Sequence, residues 1–241
     1  MKKIICILVL CVAINNLQAQ ILKDVIKKVK GGTDKTSTAG LSTEDVIQGL
    51  KEALTVGTEK SASQLANVDG FFKNAAIKIL LPPEAQKVQE AVSKIPGGSK
   101  LVDDAILSMN RAAEDAAKSA APIFIDAIKN MSITDAWNIL KGSDTAATQY
   151  LRTQTTTSLT ASFRPVIEKS LEKVNATQHW NTVFSAYNKF SLKKVNPDLA
   201  AYVTDKALAG IFYQVSLEEQ KIRKDPVAQT TNLLKKVFGG K

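Results

Sequence analysis

NPDLAAYVTDKALAGIFYQVSLEEQKIRKDP, residues 196–226, is the stretch on which the fold is read. Within it Val203, Ala207, Leu208, Ile211, Phe212, Val215 and Ile222 recur mostly at short helical intervals, which collects them on one face of a helix. Asn196-Pro197-Asp198 reads as a turn and helix start, and Asp225-Pro226 as the cap of a last helix ending at Gly239. A stripe of that length has to be covered by other helices, so the rest of the chain is read for them.

They are found on both sides. Ser42 followed by Glu44 and Asp45 is an N-cap with an acidic first turn, and Val46, Leu50, Leu54, Ser61 and Leu65 carry that helix to Ala66. Phe71 and Phe72 open a compact connection. Ile77 to Leu81 is the one segment whose composition allows a short strand, ended by Pro82-Pro83, which starts the next helix. Pro96-Gly97-Gly98 stops it. From about Ser99 a helix turns alanine-rich at Ala112, Ala113, Ala116, Ala117, Ala120 and Ala121, where a second helix can approach closely. Pro122 marks a bend. Ser132 and Asp135 form a capping box variant, and Gly142 ends the helix they open.

Ser143 to Val174 reads as a long helical stretch with a break near Thr155-Thr156-Thr157, because three β-branched residues weaken helix propensity. Pro165 fits a first turn or a kink. Trp180, Phe184, Tyr187 and Phe190 mark an aromatic helix. The fold class expected is all-α, a single domain of about eight to ten helices over residues 41–241.

The amino terminus reads differently. Lys2 and Lys3, the apolar run Ile4 to Ile14 and the small Ala19 make a secretory signal peptide over residues 1–19, so the expected location is periplasmic or secreted. The 11-residue run is too short to cross a bilayer of about 30 Å. Residues 20–40 then form a basic amphipathic arm, Gln20 to Lys30, and a linker, GGTDKTSTAG. Val25 to Gly32 (VIKKVKGG) echoes Leu233 to Gly240 (LLKKVFGG), read as shared helix-ending chemistry and not as a repeat.

Cleavage after Ala19 takes both cysteines with it and lowers the formal charge from +9 to +7. The remaining chain has no thiol and one histidine, His179, so a Cys/His zinc site is excluded, no metal is expected and no cofactor is implied. No Gly-x-Ser-x-Gly elbow supports a triad on His179. Asp103-Asp104, Glu114-Asp115 and Glu218-Glu219 are adjacent acids, which point about 100° apart on a helix and cannot alone hold one substrate. Glu218 and Arg223 read as a surface ion pair. The positive charge fits solvated lysines or attraction to an anionic membrane surface. No nucleic acid partner is expected of an exported chain.

GLKEAL from Gly49, NRAAE from Asn110, ATQYLR from Ala147, FRP from Phe163, YVTDKAL from Tyr202 and the run Glu218 to Pro226 with Leu233 to Gly239 resemble a family of exported bacterial proteins, the domain of unknown function numbered 4197. The resemblance covers roughly Leu41 to Gly239 and implies a helical envelope protein; it carries over no activity. Within these motifs Arg111, Arg152, Arg164 and Arg223 neighbour apolar positions, with Glu114, Asp126, Asp144, Glu168, Asp205 and Glu219 as available partners. Two readings follow. Either the arginines pair internally and fix helix register, or Arg111, Arg152, Arg164 and Arg223 with Tyr150 and Tyr202 form the polar end of a pocket for an amphiphilic or anionic small molecule. The function expected is non-enzymatic binding of an amphiphilic or anionic ligand or of an envelope partner, with a purely structural or interaction protein and a carboxylate-based hydrolase or lyase as the alternatives from other classes.

Overall fold

The computed structural model describes residues 42–190, 194 and 198–224. The signal segment at 1–19, the arm and linker at 20–40 and the last helix expected after Asp225 lie outside the described residues, as do the side chains of His179, Phe184, Tyr187 and Phe190.

The described chain is all-helical. Eight α-helices run in order: α1 Thr43–Ala66, α2 Gln86–Ser93 after a 3-10 turn at Pro83–Ala85, α3 Gly98–Ala117, α4 Ala120–Lys129, α5 Ile133–Lys141, α6 Ala146–Glu172, α7 Ala176–Phe190 and α8 Leu199–Lys224. No strand occurs among the described residues: Ile77 to Leu81, the candidate strand, is turn and irregular backbone. Asn110 occupies the hydrogen-bonding groups that a neighbouring strand would have used. Its side chain accepts from the Ile79 amide at 2.9 Å and donates to the Ile79 carbonyl at 2.8 Å.

Two long helices form the centre. α6 packs along α3 and α8, and α8 also lies against α1 and α3; α4 fills the space beside α1 and α6. The stripe read from the sequence of α8 is buried at all seven positions. Phe71, Phe124, Phe163 and Phe212 are fully buried, and Phe124 meets Phe212 edge to face at 5.9 Å. The alanine run does what small residues allow: Ala112, Ala113, Ala116, Ala117 and Ala120 have no exposed surface, so α3 and α4 sit tight on their neighbours.

The expected break in α6 is absent. Ala146 to Glu172 is one helix of 27 residues with Pro165 inside it. The threonines turn their hydroxyls back on the helix, Thr155 donating to the Leu151 carbonyl and Thr156 to the Arg152 carbonyl, both at 2.6 Å. Burial outweighs their weak propensity: Leu151, Thr155, Leu159, Phe163, Ile167 and Leu171 are all buried.

The capping box at Ser132 forms as read, Asp135 N–H donating to Ser132 Oγ at 3.1 Å and Ser132 N–H to Asp135 Oδ2 at 3.1 Å. Gly142 ends α5 for a different reason than left-handed backbone. Its φ is −79°, and a Cβ there would meet Ala146 Cβ at 2.6 Å.

Candidate functional site

The motif residues are placed by three buried or half-buried clamps. In the first, Glu114 of α3 turns its carboxylate inward under the connection after α1. Its Oε1 accepts the amides of Phe71 and Phe72, both at 3.1 Å, and its Oε2 accepts Arg111 Nη1 at 2.6 Å. Arg111 reaches on to Asp69 at 2.7 Å, and its guanidinium lies 5.7 Å from the centre of the Phe72 ring. Hydrogen bonds from Lys73 and then Arg111 hold the Asp69 carboxyl below its ordinary value, and Glu114, followed by Asp69, raises Arg111. With Asn110 on Ile79, the NRAAE sequence is the fastening of residues 69–79 to α3.

The second clamp joins α8 to α6. Glu219 accepts the Ala147 amide at 2.9 Å, the Thr148 amide at 2.8 Å and the Thr148 hydroxyl at 2.8 Å. These are first-turn donors of α6, whose own N-cap, Thr145, makes no side-chain cap. Arg223 pairs with Glu219 at 2.9 Å and donates to the Ile139 carbonyl at the end of α5, also at 2.9 Å. Glu219 is buried, at 4% side-chain exposure, and Arg223 is nearly so, at 10%. The surface pair expected between Glu218 and Arg223 is therefore replaced by two others: Glu218 binds Lys60 of α1 at 2.8 Å and Arg223 turns inward to Glu219.

In the third, Arg164 binds Asp198 at 2.7 Å and Glu168 at 2.8 Å, while Asp198 accepts the Ala201 amide at 2.9 Å and so caps α8. Burial pushes the Asp198 carboxyl up, but the Ala201 amide and Arg164 outweigh it, and the carboxyl sits below its ordinary value. Of the other acids proposed as partners, Asp144 holds Lys224, and Asp126 and Asp205 hold no arginine among the described residues.

The remaining candidates lie apart. Arg152 has no carboxylate partner among the described residues; its guanidinium sits 4.5 Å from the centre of the Phe212 ring. Tyr202 donates to the Leu80 carbonyl at 2.7 Å and stacks on Trp180 at 6.5 Å. Tyr150 faces α4, its hydroxyl 3.4 Å from the Ala127 carbonyl. The six candidates thus do not converge on one pocket.

Tyr150 does line a cleft. It is an open depression of about 470 Å³ between α4, the start of α5 and α6, with Asp126, Asn130, Asp135, Gln154 and Ser158 around it. Asp126, Gln154 and Ser158 offer polar side chains that hold no other described residue, whereas Asp135 is engaged in the capping box. Burial, then the charge of Asp135, pushes the Tyr150 phenol above its ordinary value, so it remains a neutral donor. Among the described residues no basic side chain lines the cleft. Sequence reading found Tyr150 but not this setting, because the lining comes from scattered positions on three helices. The space enclosed beside the Glu219 clamp, by contrast, is only about 10 Å³. Among the described residues no group of three or more His, Cys, Asp or Glu is placed to hold a metal, and no helix is long and apolar enough to cross a membrane.

An all-helical body fastened by inward-facing acid clamps is the class of protein these features define. The chain matches the family described as "Protein of unknown function (DUF4197)" over residues 40–239 and belongs to that family. Searches of curated proteins and of solved structures find no match.

Proposed function

We propose that the chain is an exported, non-enzymatic binding protein of the bacterial envelope, with the cleft around Tyr150 as its ligand site. The observation that carries this reading is the cleft itself. Its volume of about 470 Å³ lies in the range of small-molecule sites, and its rim holds hydrogen-bonding side chains not spent on the fold.

The lining selects the guest. With two carboxylates and no cation among the described residues that line it, the cleft favours a small polar molecule that is neutral or positively charged. An amphiphile with an anionic head needs an arginine at the cleft; Arg111, Arg164 and Arg223 already hold carboxylates, and Arg152, which holds none among the described residues, lies against Phe212 and is not among the residues that line the cleft. Those same pairings support the purely structural alternative. A carboxylate-based hydrolase draws little support, since Asp135 is committed to capping α5.

Native mass spectrometry of protein recovered from its own envelope separates these readings. A small-molecule adduct is expected in the wild type and its loss in Ser158→Trp, which fills the cleft without touching a clamp. A bare polypeptide mass for both, with equal melting temperatures after incubation with envelope extract, would leave the structural alternative standing.

A further inference from the structure

Among the described residues one buried side-chain polar atom has no hydrogen-bond partner, Oγ1 of Thr177 in the first turn of α7. Buried polar groups elsewhere are satisfied, as Asn110, Glu114, Thr148 and Glu219 are. A hydroxyl sealed from water without a partner works against folding and calls for a reason.

Thr177 also lies where two open depressions meet. One, of about 490 Å³, runs between α6, α7 and the start of α8, beside Arg164, Glu168, Ser185 and Asp198. The other, of about 480 Å³, opens beside Asn175 where α6 gives way to α7. Glu172, Thr177 and Asn181 line both. From Gln154 in the Tyr150 cleft to Glu168 in this groove is about 21 Å along α6, so the two sites are separate.

The lining is polar and acidic. Arg164 is held by Glu168 and Asp198, so its charge is already spent. Three carboxylates stand against that one guanidinium, which leaves the groove negative. Glu172 has no ion-pair partner among the described residues, and the side chains of Asn181 and Ser185 hold no hydrogen bond there. Ala200 is the one apolar residue among those described that line the groove, so an acyl chain gains little by entering. A carboxamide and a hydroxyl each donate and accept, as every sugar hydroxyl does, and a free carboxylate takes an ammonium group.

We infer that this groove binds a sugar bearing a free amine, with Glu172 taking the ammonium group, Asn181 and Ser185 the ring hydroxyls, and the Thr177 hydroxyl completing its hydrogen bonding on the same guest. Threonine in a helix divides between two χ1 rotamers, and the present placement of Thr177 Oγ1 holds no bond to lose on turning. The orphaned hydroxyl is thereby explained as a group kept for the bound state. The inference is independent of the Tyr150 cleft.

Titration calorimetry and thermal melting of the full chain test it, with three probes: a glucosamine tetramer, its N-acetylated counterpart and a glucose tetramer. The wild type is expected to bind the glucosamine tetramer about tenfold or more tighter than the other two, the scale of one hydrogen bond to a charged group. Glu172→Gln should erase that preference. Thr177→Val, which keeps the shape and deletes the hydroxyl, should melt about 2–4 °C higher without ligand, because an unmet polar group is gone. The same variant should bind the glucosamine tetramer about tenfold more weakly. No binding by the wild type, equal affinity for the three tetramers, or a Thr177→Val variant that melts lower or binds as the wild type does would overturn the inference.

Discussion

Glu219 accepts both the backbone amide and the hydroxyl of Thr148, each at 2.8 Å, so a side chain near the end of α8 caps a helix that begins 73 residues earlier. The contact does the work of a local N-cap while fixing where α6 starts against α8. Arg223 neutralises the same carboxylate and carries the fastening on to α5. One ion pair therefore sets the relative position of three helices.

Glu219→Ala should consequently cost about 3–5 kcal/mol, because it leaves Arg223 with an uncompensated buried charge. Glu219→Ala/Arg223→Met should recover part of that loss, since apolar replacement of a whole buried pair is far milder than removal of one partner. Urea unfolding of the two variants gives the comparison. Equal stability of wild type and Glu219→Ala would refute the cap.

Asn110 makes the sharper case for the connection after α1. Asn110→Asp keeps an acceptor for the Ile79 amide but presents oxygen to the Ile79 and Ile106 carbonyls, which now receive donors at 2.8 and 2.7 Å. The Ile106 carbonyl keeps its helical amide donor, but leaving the buried Ile79 carbonyl unpaired costs about 1–3 kcal/mol. Asn110→Asp should lower the melting temperature and speed exchange of the Ile79 amide, read by hydrogen–deuterium exchange. Unchanged protection at Ile79 would sink the clamp.

What the sequence disclosed follows from how each helix is buried. α8 keeps a broad stripe on one side, so its periodicity was visible. α6 buries every fourth residue from Leu151 to Leu171. Each step of four turns about 40° past a full circle, so the buried line winds around the helix and meets several neighbours in turn. That winding erases the one-sided pattern on which sequence reading depends, and the threonines then looked like a break. Arg111, Arg164 and Arg223 were legible as paired groups, with Glu114, Glu168 and Glu219 as partners, whereas Arg152 lies on the Phe212 ring and not on an acid among the described residues. Asp69 and Asp198 were not foreseen, since one lies in a turn and the other caps a helix. The cleft was illegible because nothing in the spacing of Asp126, Tyr150 and Ser158 places them together.

Acid should loosen the Arg164 clamp. The folded carboxyl of Asp198 titrates below its ordinary value of 3.8, so its stabilisation is fully present above that pH and is lost as pH falls through the lower folded value. Asp198→Asn should therefore be less stable than wild type at neutral pH, with the gap closing as pH drops below about 3.8. Melting temperatures across the acid range decide it. A gap that stays constant with pH would show that the charge of Asp198 contributes nothing.

Gly210 is where α8 passes closest to the connection after α1. A Cβ there would stand 2.5 Å from Cε1 of Phe71, a fully buried ring. Replacing glycine inside a helix with alanine ordinarily gains up to about 1 kcal/mol. Here the ring must move, and overpacking of a filled core costs about 1–3 kcal/mol. Gly210→Ala should thus destabilise, against its propensity, and Gly210→Ala/Phe71→Leu should be less than additive because the smaller side chain makes room. A double-mutant cycle in urea measures the coupling. If Gly210→Ala instead stabilises the protein and the cycle is additive, α8 and Phe71 are not in the close contact described.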